Sequence, residues 1–289
     1  MKVNKVGGYI GAEVLDIDLA NCDDATFSGV EQALWANGVV FFRDQRLTVE
    51  QYIDFGKRWG ELFVNNSPAI KALPNHPEVE EIRKNPDEIS NIGDEWHADQ
   101  SYRPDPCMGT ILYAREIPPY GGDTCYANTA SAYDLLTDEL KQEIDGLQAV
   151  HSQPFLLEQV AARTGDPDGR FAAARKKAES NTATVKEAVH PVVTVHPETG
   201  RKCIYISPAY TSHFVGRTRE ESAPLLDKLF KHILRPEFTC RMHWKNDSLA
   251  IWDNRQVWHY ATNDYQGHLR ILHRLVVKDN LQVAAVATG

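Results

Sequence analysis

Trp96-His97-Ala98-Asp99 is the stretch that most constrains what this chain can become. A second segment near the other end, Trp252-Asp253-Asn254-Arg255-Gln256-Val257-Trp258-His259, offers it a partner. The first segment reads as extended. Residues i and i+2 of a strand project to one face, so His97 and Asp99 converge on one point. That point suits a metal ion, and His259 is the candidate third ligand. Taken alone, H-x-D is short and common, and its commoner meaning is a core histidine beside a turn or capping aspartate.

Uniting these segments needs a large core. The 289 residues are enough for one, and β-rich chains of this length are often a single domain, which is the expectation over residues 1–289. A composition of 42% hydrophobic and 25% charged residues excludes disordered and low-complexity classes. The formal charge is −9, and no basic run exceeds Arg175-Lys176-Lys177. Neither nucleic acid nor an anionic membrane is therefore an expected partner, and an anionic ligand has to be gripped by a few placed cations. Cys22, Cys107, Cys125, Cys203 and Cys240 are odd in number and form no CxxC pair. They argue against a disulfide framework and a structural zinc site, and they fit a reducing cytoplasm. Met1 to Gly8 lacks an apolar leader-type run, and no window reaches the length of a membrane span.

Along the chain, Asp23 or Asp24 caps a helix through Trp35, Val39–Phe42 reads as a buried strand, and Thr48 with Gln51 forms a capping box for a second helix. From Val64 to Asn91 the chain is polar and carries Pro68, Pro74, Pro77 and Pro86. It reads as loop over a site, interrupted by a strand at Val79–Ile82. Met108–Ile117 is a further strand, and residues 153–187 read as an insertion and candidate lid. Val192–Val195 and Cys203–Ile206 flank a hairpin turn, Thr218–Leu234 is an amphipathic helix, and strands at Thr239–Trp244, Leu249–Trp252 and His268–Val277 close the chain. The sum is a mainly β fold with flanking helices and a double-stranded β-helix (jelly-roll) core, with a pocket between its sheets.

Two imidazoles and a carboxylate on one face leave the opposite positions open, which suits non-haem Fe(II). The closing strand adds to this. His268, Arg270, Leu272 and Arg274 share one of its faces. If that face is interior, two guanidinium groups enter the pocket and need anionic partners, carboxylates above all. His190 and His196 lack a nearby carboxylate to complete a second set, and structural roles are expected for both. No G-x-S-x-G or H-E-x-x-H sequence occurs.

Trp96-His97-Ala98-Asp99, Gly121-Gly122-Asp123-Thr124, Trp252-Asp253-Asn254 with His259, and Arg270 with Arg274 together resemble the taurine/2-oxoglutarate dioxygenase (TauD/TfdA-like) family, from about Gly7 to Val277. The resemblance implies Fe(II) held by His97, Asp99 and His259, with 2-oxoglutarate and O2 as co-substrates. It implies that Arg270 and Thr124 take the far carboxylate of 2-oxoglutarate and that Trp252 packs beside it. Arg274 matches the position that in relatives grips the anionic group of the main substrate. The implied reaction decarboxylates 2-oxoglutarate to succinate and carbon dioxide while hydroxylating a small organic anion, with C–O, C–N or C–S cleavage when the hydroxylated carbon bears such a group. A homo-oligomer, dimer or tetramer, is also implied.

In the taurine enzymes a histidine ahead of the first ligand strand contacts the sulfonate. Here His76 is the sole histidine between Gly60 and Trp96, at no matching position. Ile92-Gly93-Asp94-Glu95, His151-Ser152 and the region of Tyr210 are more similar to the aryloxyalkanoate branch. By that resemblance Tyr210 shares the substrate carboxylate with Arg274, while Phe155 and Ile70 line an apolar side; plain core packing is the alternative for Tyr210 and Phe155. A jelly-roll protein that binds or senses a small anion without turnover is the alternative from another functional class. A zinc hydrolase on the same ligands lacks an obvious general base.

Overall fold

The computed structural model describes residues 1–64, 70–164, 187–279 and 284–285. Its strands in chain order are β1 (Lys2–Lys5), β2 (Ala12–Leu15), β3 (Val39–Phe42), β4 (Lys71–Leu73), β5 (His76–Lys84), β6 (Cys107–Glu116), β7 (Thr124–Asn128), β8 (Gln148–Ser152) and β9 (Glu187–Pro191). They continue as β10 (Val193–Val195), β11 (Lys202–Ile204), β12 (Thr211–Phe214), β13 (Thr239–Met242), β14 (Leu249–Asp253), β15 (Val257–Ala261), β16 (Arg270–Lys278) and β17 (Ala284–Ala285). An eight-stranded sheet runs β1-β2-β3-β14-β6-β16-β5-β4, antiparallel except for β2 with β3. Three three-stranded sheets, β13-β7-β15, β12-β8-β9 and β11-β10-β17, accompany it.

Period-two alternation divides the core into layers. Phe42, Ile111, Leu249, Ile251 and Leu275 on one face of the large sheet pack with Val30, Leu34, Tyr52 and Phe55 of helices Asp24–Asn37 and Val49–Lys57. The alternate residues Val39, Phe41, Leu112, Ala250, Trp252 and Leu272 pack against Tyr126, Met242 and Val257 of the β13-β7-β15 sheet. The far side of that small sheet gives Ala127 and Trp258 to a third cluster, with Leu225, Leu226, Leu229 and Ile233 of helix Arg219–Ile233. The result is the expected jelly-roll arrangement of mainly strands with flanking helices, its sheets not closed into a barrel.

The helix starts follow their capping residues. Asp23 accepts from the N–H of Thr26, and Thr48 with Gln51 and Thr218 with Glu221 both form complete capping boxes. The Pro-rich stretch departs from expectation, because its middle is a hairpin and not a loop. Pro74-Asn75 makes the turn, with Asn75 at φ 67°, a left-handed conformation that Asn tolerates. Pro77 stands at the exposed second position of β5, where β5 begins. Pro68 lies outside the described residues. The expected lid resolves into a helix, Gln153–Thr164, while residues 165–186 lie outside the described residues. β15, which carries His259, was absent from the expected closing strands; it is short and follows β14 after a tight turn.

Thr218→Ala removes one half of a capping box, and we expect a loss of about 1 kcal/mol, read as a lower urea midpoint with an unchanged slope. An unchanged midpoint would contradict the role given to this cap.

Candidate active site

The segment leaving the hairpin meets β15 in one antiparallel bridge between His97 and His259. His97 N–H donates to the His259 carbonyl at 3.0 Å, and His259 N–H donates to the His97 carbonyl at 2.8 Å. Residues that exchange both backbone bonds sit directly opposite with side chains on one face, and here the ring centroids are 4.0 Å apart. Asp99, two residues on, reaches the same point. Its carboxylate oxygens lie 3.6 Å from His97 Nε2 and 3.9 Å from His259 Nε2. All three side chains are buried, with one ligand atom from each within 4.8 Å of the others.

His97 Nδ1 lies 2.6 Å from the Glu95 carbonyl. That contact requires Nδ1–H as donor, so Nε2, turned toward Asp99, is the nitrogen available to a metal. Asp99 is held from behind. The Thr110 hydroxyl donates to its Oδ2 at 2.7 Å, and its backbone N–H donates to Asn254 Oδ1 at 3.1 Å. Asn254 in turn donates to Thr110 Oγ1 at 3.0 Å and accepts from the Trp252 indole at 2.9 Å. Burial works against ionisation of Asp99, but Arg274, then His259 and His97, outweigh it and hold the carboxyl well below its usual range. Burial, reinforced by His97, pushes His259 well below an ordinary histidine. A carboxylate and neutral imidazoles are the forms that ligate metal.

A cavity open to solvent is lined by His97 and His259 together with Thr124, Trp252, Arg270 and Arg274. Arg270, Leu272 and Arg274 all face it, as the alternation in β16 requires. Arg270 is 2% exposed. Its Cζ lies 5.8 Å from the centroid of the Tyr265 ring, and its Nε and Nη2 have no hydrogen-bond partner among the described residues. Burial pulls its pKa below that of an ordinary arginine, opposed in part by Tyr265, Tyr126 and Asp123. Nε and Nη2 form one fork, so the pair of unmet donors has the shape of a carboxylate. Thr124 Oγ1 accepts from the Trp244 indole at 2.9 Å. The Gly-Gly turn before it is imposed by backbone and packing: Gly121 and Gly122 have φ 67° and 65°, and a Cβ on Gly122 would lie 3.1 Å from Arg270 Nε.

Residues 2–276 match the taurine catabolism dioxygenase TauD, TfdA family. The chain belongs to that family. Among its curated relatives, an alpha-ketoglutarate-dependent sulfate ester dioxygenase of Pseudomonas putida is 32% identical, over 98% of this chain and 91% of that protein. An (S)-phenoxypropionate/alpha-ketoglutarate-dioxygenase of Sphingobium herbicidovorans is 30% identical, over 96% of this chain and 95% of that one. The crystal structure of a taurine dioxygenase from Burkholderia xenovorans superposes with a TM-score of 0.78 at 33% identity, covering 97% of this chain and 90% of its own. These identities are level across sulfate-ester, phenoxypropionate and taurine enzymes and do not single out one branch.

In this TauD/TfdA member the expected residues divide. His97, Asp99, His259, Thr124, Trp252, Arg270 and Arg274 come together. Tyr210 is buried beside them, its ring 6.1 Å from His97 and 5.1 Å from Tyr102. Phe155 does not join; it lies in helix Gln153–Thr164 beneath Arg219, whose Cζ is 4.9 Å from its ring. Ile70 packs at the margin of the inter-sheet core and does not line the cavity. His190 and His196 are apart from each other. His190 Nε2 donates to the Ser101 and Arg103 carbonyls at 2.9 Å each, while His196 Nε2 pairs at 2.6 Å with Asp253, a carboxylate the sequence order did not place near it. Arg274 is already engaged, its Nε with Glu80 at 2.5 Å and its Nη1 with Asp99 at 3.4 Å. Asn254, Thr110 and Glu80 were missed. The signal for Asn254 was its place in Trp252-Asp253-Asn254, two residues from the Trp252 indole it accepts from.

Thr110→Val deletes the hydroxyl that holds Asp99. We expect Mn(II) affinity to fall about 10–100-fold in a fluorescence titration, with the far-UV circular dichroism unchanged. Unaltered affinity would remove Thr110 from this role.

Proposed function

We propose that the chain is an Fe(II)- and 2-oxoglutarate-dependent dioxygenase that hydroxylates a small organic anion, with C–O, C–N or C–S cleavage when the hydroxylated carbon carries such a bond. Membership of the family and the activities named for its relatives support the reaction class. The observation that carries the reading is the shared cavity of a His-Asp-His cluster and a buried arginine with an unmet carboxylate-shaped fork. Iron with 2-oxoglutarate and O2 supplies the oxidising chemistry, releasing succinate and carbon dioxide and delivering one oxygen atom to a C–H bond.

The protein's residues do the holding. His97 and His259 offer nitrogen lone pairs, and Asp99 offers a charged oxygen kept in place by Thr110 and Asn254. Arg270 receives the far carboxylate of 2-oxoglutarate through Nε and Nη2, and the Thr124 hydroxyl, already an acceptor for Trp244, keeps its proton to donate there. Trp252, its ring centroid 4.4 Å from that of His259, walls the co-substrate. Ile82, Leu112 and Leu272 keep the remaining wall apolar and exclude water from the reacting atoms. Arg274 stands toward the substrate, with the anionic relatives' substrates as support for an anion there. A cytoplasmic setting is supported by the free thiols of all five cysteines, and no described helix is long and apolar enough to cross a membrane.

The purified protein should form succinate from 2-oxoglutarate only with Fe(II) and oxygen present, and His97→Ala should abolish this. Full iron-dependent turnover by that variant would refute the ligand set. Arg270→Ala should raise the 2-oxoglutarate concentration for half-maximal rate at least about thirtyfold, the loss expected for a buried charge-assisted contact. An unchanged requirement would assign the co-substrate to another cation.

A further inference from the structure

Glu80, the carboxylate that engages Arg274, is buried, 2% exposed. It stands directly opposite Arg274 in the β5–β16 ladder, and the next pairs on that face are Ile82 with Leu272 and Lys84 with Arg270. This face of β5 therefore runs from acid through hydrophobe to cation, with Ile82 lining the cavity. Glu80 Oε2 accepts from Arg274 Nε at 2.5 Å, while Arg274 Nη1 reaches Asp99 Oδ1 at 3.4 Å. A guanidinium offers two forks, Nε with Nη2 and Nη1 with Nη2. Glu80 takes half of the first and Asp99 half of the second. Nη2 is left as the nitrogen of Arg274 without a hydrogen-bond partner among the described residues.

We infer that Glu80 is a specificity-determining residue of the substrate subsite: it holds Arg274 so that a substrate anion meets one donor beside a fixed carboxylate instead of a free two-pronged clamp. The inference rests on the dioxygenase reading above and on Arg274 facing the substrate. A sulfonate or sulfate drawn to Nη2 comes close to the Glu80 charge among buried side chains, where like charges oppose each other strongly. Selection then shifts from the anionic end of the substrate toward its apolar part, which Ile82, Leu112 and Leu272 contact. The ion pair also has a structural effect, because it compensates a buried cation before any substrate arrives.

The test compares butane-1-sulfonate with its neutral isostere butane-1-sulfonamide by isothermal titration into wild type and Glu80→Gln, a change that keeps shape and acceptor but removes charge. Both are titrated into anaerobic protein loaded with Fe(II) and 2-oxoglutarate, and again into metal-free protein. The sulfonate is expected to bind Glu80→Gln about tenfold tighter than wild type while the sulfonamide changes less than about twofold. A sulfonate that gains nothing, binds more weakly, or fails to bind the variant overturns the inference, as does an equal gain for both ligands. If Glu80→Gln is poorly folded, the sulfonate should restore its melting temperature toward wild type and the sulfonamide should not; absence of that rescue also overturns it. Failure of the dioxygenase reading would appear separately, as wild-type protein that consumes no 2-oxoglutarate with iron and oxygen, and it leaves the metal-free titration intact.

Discussion

Everything in this site depends on two backbone hydrogen bonds, the mutual pair between His97 and His259. They bring the middle of the chain to its end and put two imidazoles on one face, with Asp99 following by strand alternation. The pairing is held in register from the other side of the sheet. β15 pairs with β7 so that His259 opposes Tyr126 and Trp258 opposes Ala127, and Trp258 is buried among the helix residues of the outer core. A slip of one residue would turn the indole toward the cavity and the imidazole into an apolar cluster. Register at His259 is thus set by a tryptophan buried in the outer core.

The second organising constraint is the cost of buried charge. Asp99 and Arg274 lie in one compensated set with Glu80, and the effect is visible in opposite directions: the carboxyl is held low and Arg274 is raised, burial being outweighed in both. Arg270 is handled differently. Its Cζ lies 5.8 Å from the Tyr265 ring centroid, and Tyr265, Tyr126 and Asp123 oppose the effect of burial, Asp123 itself pairing with Arg241 and His243. A buried cation beside one aromatic ring, with a fork unmet, suits a ligand that brings its own charge. The two arginines of β16 share a face, yet one has an unmet fork and the other is already engaged by two carboxylates.

Much of this was legible in the chain because it depends on local periodicity. The alternation of Arg270, Leu272 and Arg274, the i to i+2 relation of His97 and Asp99, and the capping boxes at Thr48 and Thr218 are all properties of a few consecutive residues. What escaped depends on pairing between distant segments. Glu80 looks like a surface residue in Glu78-Val79-Glu80-Glu81 until β5 is laid against β16. Proline density suggested a loop at Val64–Asn91, but Pro74 sits in the turn and Pro77 at the start of a strand, places where a missing N–H costs little. Phe155 and Ile70 could not be assigned from type alone, since a half-buried aromatic or isoleucine serves equally well against a helix, a core margin or a substrate.

The most direct test is a structure of the protein crystallised anaerobically with Mn(II) and 2-oxoglutarate, with anomalous data collected for the metal. We predict one strong anomalous peak bounded by His97 Nε2, His259 Nε2 and the Asp99 carboxylate, with the far carboxylate of 2-oxoglutarate on Arg270 Nε and Nη2. Metal bound at other side chains, or a co-substrate carboxylate that leaves the Arg270 fork unmet, would contradict it.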